Sequence, residues 1–252
     1  MAKHNNRTSP YKTADELLEQ TLKKANYQFE VARRKMQVEL KKYEPIVKTL
    51  EANAANPNIV DLFLYIQSLY NGIDKFNISM FKSTAKGLYD QAYEWGNKVT
   101  GETGQKTDID QAWILALVAS FNAVTKYIYT DEVKAKSNYF NQKITNSLKA
   151  RVAQKKELTM YGADINANFK EAKQLWANMS DSMMVFVGTN AMVQAYKDTG
   201  VKKVRYHTEE DDKVCELCEP KNGKVLRVDE LVYGVNAPPI HNYCRCWLEP
   251  IE

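Results

Sequence analysis

The chain has 252 residues, of which 44% are hydrophobic and 26% charged, and its formal net charge is +4. That is long enough for one large or two modest domains with a real core, and ordinary for a soluble globular protein. No apolar run is long enough to span a bilayer, and the N-terminus has no apolar signal-like core, so a protein that stays in the cytoplasm of its producing cell is expected.

The charge is uneven. Residues 1–50 hold eleven Lys or Arg against six Asp or Glu. A mildly basic arm of this kind can touch nucleic acid or an acidic protein face, but falls short of the dense patch of a dedicated DNA binder.

Residues 1–12 are polar and without period, which predicts a loose tail. Thr13-Ala14-Asp15-Glu16 has the form of a capping box. From there Leu17, Leu18, Leu22, Ala25, Phe29, Ala32, Met36 and Leu40 recur at helical spacing, giving a long amphipathic helix that Pro45 kinks or ends. A short continuation is expected to Ala55, closed by Asn56-Pro57. Asn58 is the expected cap of a second helix that buries Leu62, Phe63, Ile66, Leu69 and Tyr70 and stops at Gly72. A third helix over Ser79–Val99 turns Phe81, Leu88, Tyr89, Ala92 and Trp95 inward. Thr100–Gly104 reads as a flexible joint.

Asp108 or Asp110 then caps an apolar helix through Tyr129, and Thr130 or Asp131 opens another towards Lys156. Gly162 separates it from a long helix over Asn166–Asp198, with Gly200 at the C-cap. Beyond Gly200 the texture changes. Val201–His207 alternates and predicts a strand. Glu209–Asp212 is an acidic turn. Asn222-Gly223 is a hairpin-turn signal ahead of a short strand, Lys224–Val228. Asp229–Tyr233 is an expected helical turn, Pro238-Pro239 a rigid approach to His241, and Cys244–Leu248 a final strand. The fold class is therefore mainly α, with long helices forming an elongated body and a small β-rich, metal-stapled C-terminal subdomain.

All four cysteines lie between residues 215 and 246. In a reducing compartment such a cluster points to a metal site rather than a disulfide framework. The pair Cys215 and Cys218 on a tight turn can present two thiolates to one tetrahedral ion. Cys244 and Cys246, at i and i+2 of a strand, would point to one face and close the site from the other side. Four thiolates make a closed structural zinc site. His241 is the fifth candidate, either replacing one Cys or donating an N–H to a thiolate. Buried thiols packed as small apolar groups, or a disulfide, are the metal-free alternatives. An end segment with few large apolar residues gains folding free energy from a metal.

His207 and Asp212 sit just upstream, and a catalytic reading would make Asp212 or Glu210 a general base beside a metal-bound water, but four ligands leave no open position. No Gly-rich phosphate loop and no nucleophile elbow is present, so the chain is expected not to be an enzyme. A metal-stapled nucleic-acid-binding module is the alternative, with Lys202, Lys203, Arg205, Lys221, Lys224 and Arg227 holding phosphates.

Tyr206-His207-Thr208, Asp212-Lys213-Val214-Cys215-Glu216-Leu217-Cys218, Asn222-Gly223 and Pro238-Pro239-Ile240-His241-Asn242-Tyr243-Cys244-Arg245-Cys246 together resemble the signature of the tailed-bacteriophage head-morphogenesis proteins, the Mu F-like minor head proteins. Tyr206 stands where Trp is more usual in that family. The motif covers about residues 185–250, and Gly188–Ala191 with Ala195 looks like the family's lead-in helix. The resemblance implies a minor structural component of a phage head, made in the host cytoplasm and located in the virion at the capsid interior or portal vertex. Its partners would be the portal or major capsid protein, with weak contact to phage DNA and homo-oligomerisation as further expectations. Three regions follow: residues 1–105 as an N-terminal helical arm, 106–200 as a central helical region leading into the Mu F-like domain, and 201–252 as a metal-binding knob.

Overall fold

The computed structural model describes residues 12–47, 56–101, 129–156, 162–209, 214–241 and 244–251. Calls on residues 1–11, 48–55 and 102–128 fall outside the described residues, as do the side chains of Thr13–Asp15 in the expected capping box. Among the described residues are four long helices: α1 (Lys12–Val47), α2 (Pro57–Thr100), α3 (Tyr129–Ala153) and α4 (Gly162–Asp198). A three-stranded antiparallel sheet follows: β1 (Lys203–His207), β2 (Val225–Arg227) and β3 (Trp247–Pro250), in the order β2-β1-β3. No helix among the described residues is long and apolar enough to cross a membrane. The mainly α class with a small β-rich C-terminal end is what the periodicity predicted.

In α1 the expected stripe is buried from Leu18 through Leu40, with Leu17 half-buried. Pro45 sits inside the helix, which continues to Val47.

Two expectations for α2 are corrected. Asn56, not Asn58, caps it: the Asn56 side chain accepts from the Asn58 N–H at 3.0 Å, and its carbonyl accepts from Ile59 at 2.9 Å. This places Pro57 at the first helical position, where its missing N–H costs nothing. Gly72 does not end the helix, which runs on through the expected third one. An interior glycine costs about 1 kcal/mol relative to Ala. The stripe Tyr70, Ile73, Asn77 and Phe81 passes through it without a break in period and is buried throughout. Continuous burial outweighs one weak position.

Helix α4 begins four residues before the expected Asn166, because Ile165 joins Phe169, Ala172 and Trp176 in its buried stripe. Its end matches the expectation. Gly200 has φ +79°, Val201 N–H donates to Tyr196 O at 2.9 Å, and Gly200 N–H donates to Lys197 O at 3.2 Å. These are the paired bonds of a glycine-terminated helix.

The chain divides into two compact units. The second comprises the described parts of Leu22–Ser79 and Thr130–Ala177. Polar contacts cross-link its helices. Tyr70 Oη donates to Asn168 Oδ1 at 2.5 Å, and Asn168 Nδ2 donates to Phe140 O at 3.3 Å. Lys173 bridges to Glu30 at 2.7 Å, and Arg33 Nη1 donates to Asn166 Oδ1 at 2.9 Å. Buried Asp74 accepts from Ser137.

The first unit contains the described parts of Met80–Tyr129 and Asn178–Glu252, with the start of α1 to Thr21. Here α4 is buried on every side over Ser182–Thr189, as expected of a helix in the middle of a core. Gly96 of α2 meets α4 closely: a Cβ placed there would lie 2.7 Å from Ala195 Cβ. Gly96→Val is therefore expected to destabilise the protein by about 1–3 kcal/mol through overpacking. Adding Ala195→Gly should recover part of that loss, a coupling that a thermal double-mutant cycle would register.

The sheet belongs to this unit. In β1, Val204 and Tyr206 are fully buried while Lys203 and Arg205 are exposed, so alternation sets an inward and an outward face. Val204 pairs with Leu226 on one side and Pro250 on the other, and Tyr206 pairs with Leu248. Tyr196 Oη of α4 donates to Leu248 O at 2.9 Å, which ties the sheet to the helix. Trp95 meets Trp247 edge to face at 6.1 Å.

Candidate metal centre

Each donor is placed by a local turn. Cys215 O accepts from both Cys218 and Glu219 N–H at 3.0 Å, which folds the first pair into a tight turn. A short 3-10 turn, Glu219–Lys221, continues it. Gly223 then takes φ +76°, a conformation that favours glycine, and donates to Tyr206 O at 2.8 Å. The returning chain accepts from Tyr206 N–H at Lys224 O, 2.9 Å, before pairing as β2. The expected turn at Asn222-Gly223 therefore docks the Cys215–Cys218 loop against β1. The 3-10 turn after β2 covers Val228–Glu230 rather than the expected Asp229–Tyr233.

On the other side, Cys244 N–H donates to His241 O at 3.2 Å. The expected strand over Cys244–Leu248 is corrected. β3 starts at Trp247, opposite His207, the last residue of β1. Beyond His207 the chain turns away, with Thr208 N–H donating to Asn222 Oδ1 at 3.1 Å, so Cys244–Cys246 have no strand to pair with. The predicted alternation nevertheless persists: Cys244 and Cys246 are buried and Arg245 between them is half-buried.

The result is a cluster of all five expected donors, arranged as two overlapping triads. Cys215, Cys218 and His241 form one and Cys218, Cys244 and Cys246 the other, each with its ligand atoms within 4.8 Å of one another. His241 Nε2 lies 3.0 Å from Cys215 Sγ and 3.1 Å from Cys218 Sγ, and Cys218 Sγ lies 3.9 Å from Cys244 Sγ. A tetrahedral ion with bonds of ~2.3 Å to sulfur and ~2.0 Å to nitrogen needs about 3.8 Å between two sulfurs and about 3.5 Å between sulfur and nitrogen. The Cys218–Cys244 edge has that length, and the His241 edges need to open by about half an ångström, within reach of one ring rotation. All four cysteines are free thiols. The donor set fits a metal ion.

The electrostatics match. Cys244 is held well below the ordinary thiol range by hydrogen bonds from Cys218 and Cys246, against the opposing effect of burial. Cys218 is correspondingly raised, first by its hydrogen bonds to Cys244 and Cys246 and then by burial. A cation bound here would favour the thiolate form of the buried sulfurs.

His207 is not among the donors. It stacks on Trp247 at 4.6 Å, and its Nε2 lies 2.8 Å from Glu249 Oε2, which also pairs with Arg205 at 3.3 Å. Glu210 and Asp212 lie outside the described residues. Tyr206 was read in the sequence only as part of an approach to the cysteines. The structure places its hydroxyl 3.9 Å from Cys218 Sγ. The alternation of β1 was the signal: it puts Tyr206 on the inward face beside Val204.

Fold and site together define a mainly helical protein with a cysteine-and-histidine cluster that could hold a metal ion, carried beside a small C-terminal sheet. Residues 128–249 match the family described as Phage Mu protein F like protein, the family that the C-terminal motifs resemble. The matched segment takes in α3, α4, all of the sheet but Pro250, and every donor of the cluster. Neither a curated protein nor a solved structure matches the chain.

Proposed function

We propose that this protein is a minor head-assembly component of a tailed phage, incorporated near the portal vertex and docked on portal or capsid protein through its helical surfaces. The observation that carries this reading is the Mu F-like match over residues 128–249, which contains the whole donor cluster. In this reading the cluster is a structural zinc site. Cys215, Cys218, Cys244, Cys246 and His241 supply more donors than one tetrahedral ion uses, so no position stays open for water or substrate. The protein is accordingly a scaffold and not a catalyst.

The test is to purify mature heads and procapsids from infections with and without the protein. Co-purification in few copies and binding to isolated portal rings are the expected results. Heads of normal number and infectivity without it, with no association with the portal, would refute the reading.

A second reading, contact with phage DNA, is favoured by the exposed Lys203, Arg205 and Arg227 on the outer face of the sheet. Glu249 and Asp229 pair with Arg205 and Arg227 and offset much of that charge. The contact is therefore expected to be weak and non-specific. Retardation of duplex DNA should fade steeply between about 50 and 200 mM salt. Binding indifferent to salt would contradict phosphate contact.

A further inference from the structure

We propose that Tyr206 is a positioning residue for the metal centre, its hydroxyl donating a hydrogen bond into the thiolate cluster at Cys218. The inference rests on the reading of the cluster as a metal site and adds to it a residue that is not itself a ligand.

Tyr206 is an inward residue of β1, the middle strand of the sheet. It is fully buried, its strand is paired on both sides, and its backbone is further tied to Gly223 and Lys224. The ring therefore has one place to sit. Its hydroxyl ends 3.9 Å from Cys218 Sγ. A buried phenol needs an acceptor, and one that stays unpaired costs about 1–3 kcal/mol. Here the neighbouring acceptors are sulfurs, and Cys218 is the sulfur common to both donor triads. A thiolate bound to a divalent ion still carries lone pairs. An O–H directed at one of them stabilises its charge and fixes the direction in which the sulfur presents itself to the ion.

The role is chemical as well as steric. A phenylalanine fills the same space without the donor.

Cobalt(II) provides the probe, because its sulfur-to-metal charge-transfer band reports the energy of the thiolate lone pairs. The full-length protein, Tyr206→Phe, and a chain with 3-fluorotyrosine at position 206 are titrated with cobalt in competition with a chelator. In Tyr206→Phe the charge-transfer band should move to longer wavelength, and cobalt affinity should fall about 10-fold, as when other partners of metal ligands are removed. The ligand-field bands should keep their tetrahedral pattern, since no ligand is lost. The fluorinated ring is a stronger donor and should move the charge-transfer band the opposite way. Far-UV circular dichroism checks that each variant is folded. If affinity and band position are unchanged in both variants, Tyr206 is a packing residue and the proposal is wrong. If the unsubstituted protein shows no sulfur-to-cobalt band at all, the metal reading itself fails and takes this inference with it.

Discussion

Cys218→Ser is expected to abolish stoichiometric zinc binding and to unfold the C-terminal end locally, while leaving the helices in place. Cys218 is 2% exposed and belongs to both donor triads, so its loss breaks each of them. Structural zinc contributes an apparent ~10–16 kcal/mol to the folding of small metal-dependent units at neutral pH, far more than any single packing contact. Among its described residues, the segment it would organise here has three short strands and many turns, with only a few fully buried large side chains of its own, such as Val204, Tyr206 and Leu248. Chelation of the unsubstituted protein should have the same consequence. Protease cleavage within residues 201–252 should rise sharply in both cases, with little loss of helical circular dichroism. Cys215→Ser should do less, because Cys215 is half-buried and belongs to one triad only. Comparison of His241→Ala with Cys246→Ser would then identify the fourth ligand: the variant that keeps its zinc names the donor left over. A purified protein without metal, or a Cys218→Ser protein with full zinc content, would contradict the site.

Replacing Asp74 by Asn is expected to stabilise the protein by about 3 kcal/mol near pH 7 and by almost nothing near pH 4. Asp74 is 7% exposed and sits on α2 against α3. Burial pushes its carboxyl from 3.8 up to about 6, although a hydrogen bond from Ser137 and the charge of Lys134 pull the other way. The folded protein therefore holds this proton more tightly than the unfolded chain does. Below about pH 4 the group is neutral in both states and costs nothing. As pH rises from about 4 to about 6 the unfolded chain ionises first, and stability falls by up to about 1.4 kcal/mol per pH unit. Above about 6 the loss levels off, at two units of that slope or about 3 kcal/mol. Asparagine keeps an acceptor for Ser137 and carries no charge, so the two proteins should have similar stability at acid pH and diverge above it. Denaturant unfolding at several pH values between about 4 and 8 measures this. Parallel pH profiles would show that Asp74 is solvated in the folded state.

The helical stripes were legible because each is a local, repeated signal. In α1, Leu18, Leu22, Ala25, Phe29, Ala32, Met36 and Leu40 are all buried as their spacing requires. Gly72 was misread because glycine is a punctuation mark only where the apolar period also stops, and here Ile73, Asn77 and Phe81 continue it. Asn56 and Asn58 are both plausible caps by residue type, and only the hydrogen bonds separate them. The donor residues were likewise legible, since cysteine and histidine at turn spacing declare their chemistry. Their order around an ion was not, because it depends on how the Cys215–Cys218 loop docks on β1.

The sequence alone determined the helical character of the body, the position of the helix end at Gly200, and which five cysteine and histidine residues could serve as donors. Periodicity, backbone conformation and ligand chemistry are properties of residues and their near neighbours. Tertiary structure decided what depends on distant segments meeting. It joined two expected helices into α2, buried Asp74, and brought the Gly96 backbone against Ala195. It also stopped β3 short of Cys246 and set the Tyr206 hydroxyl beside Cys218. Burial and close approach arise only when residues far apart in the chain pack together, and no local window contains them.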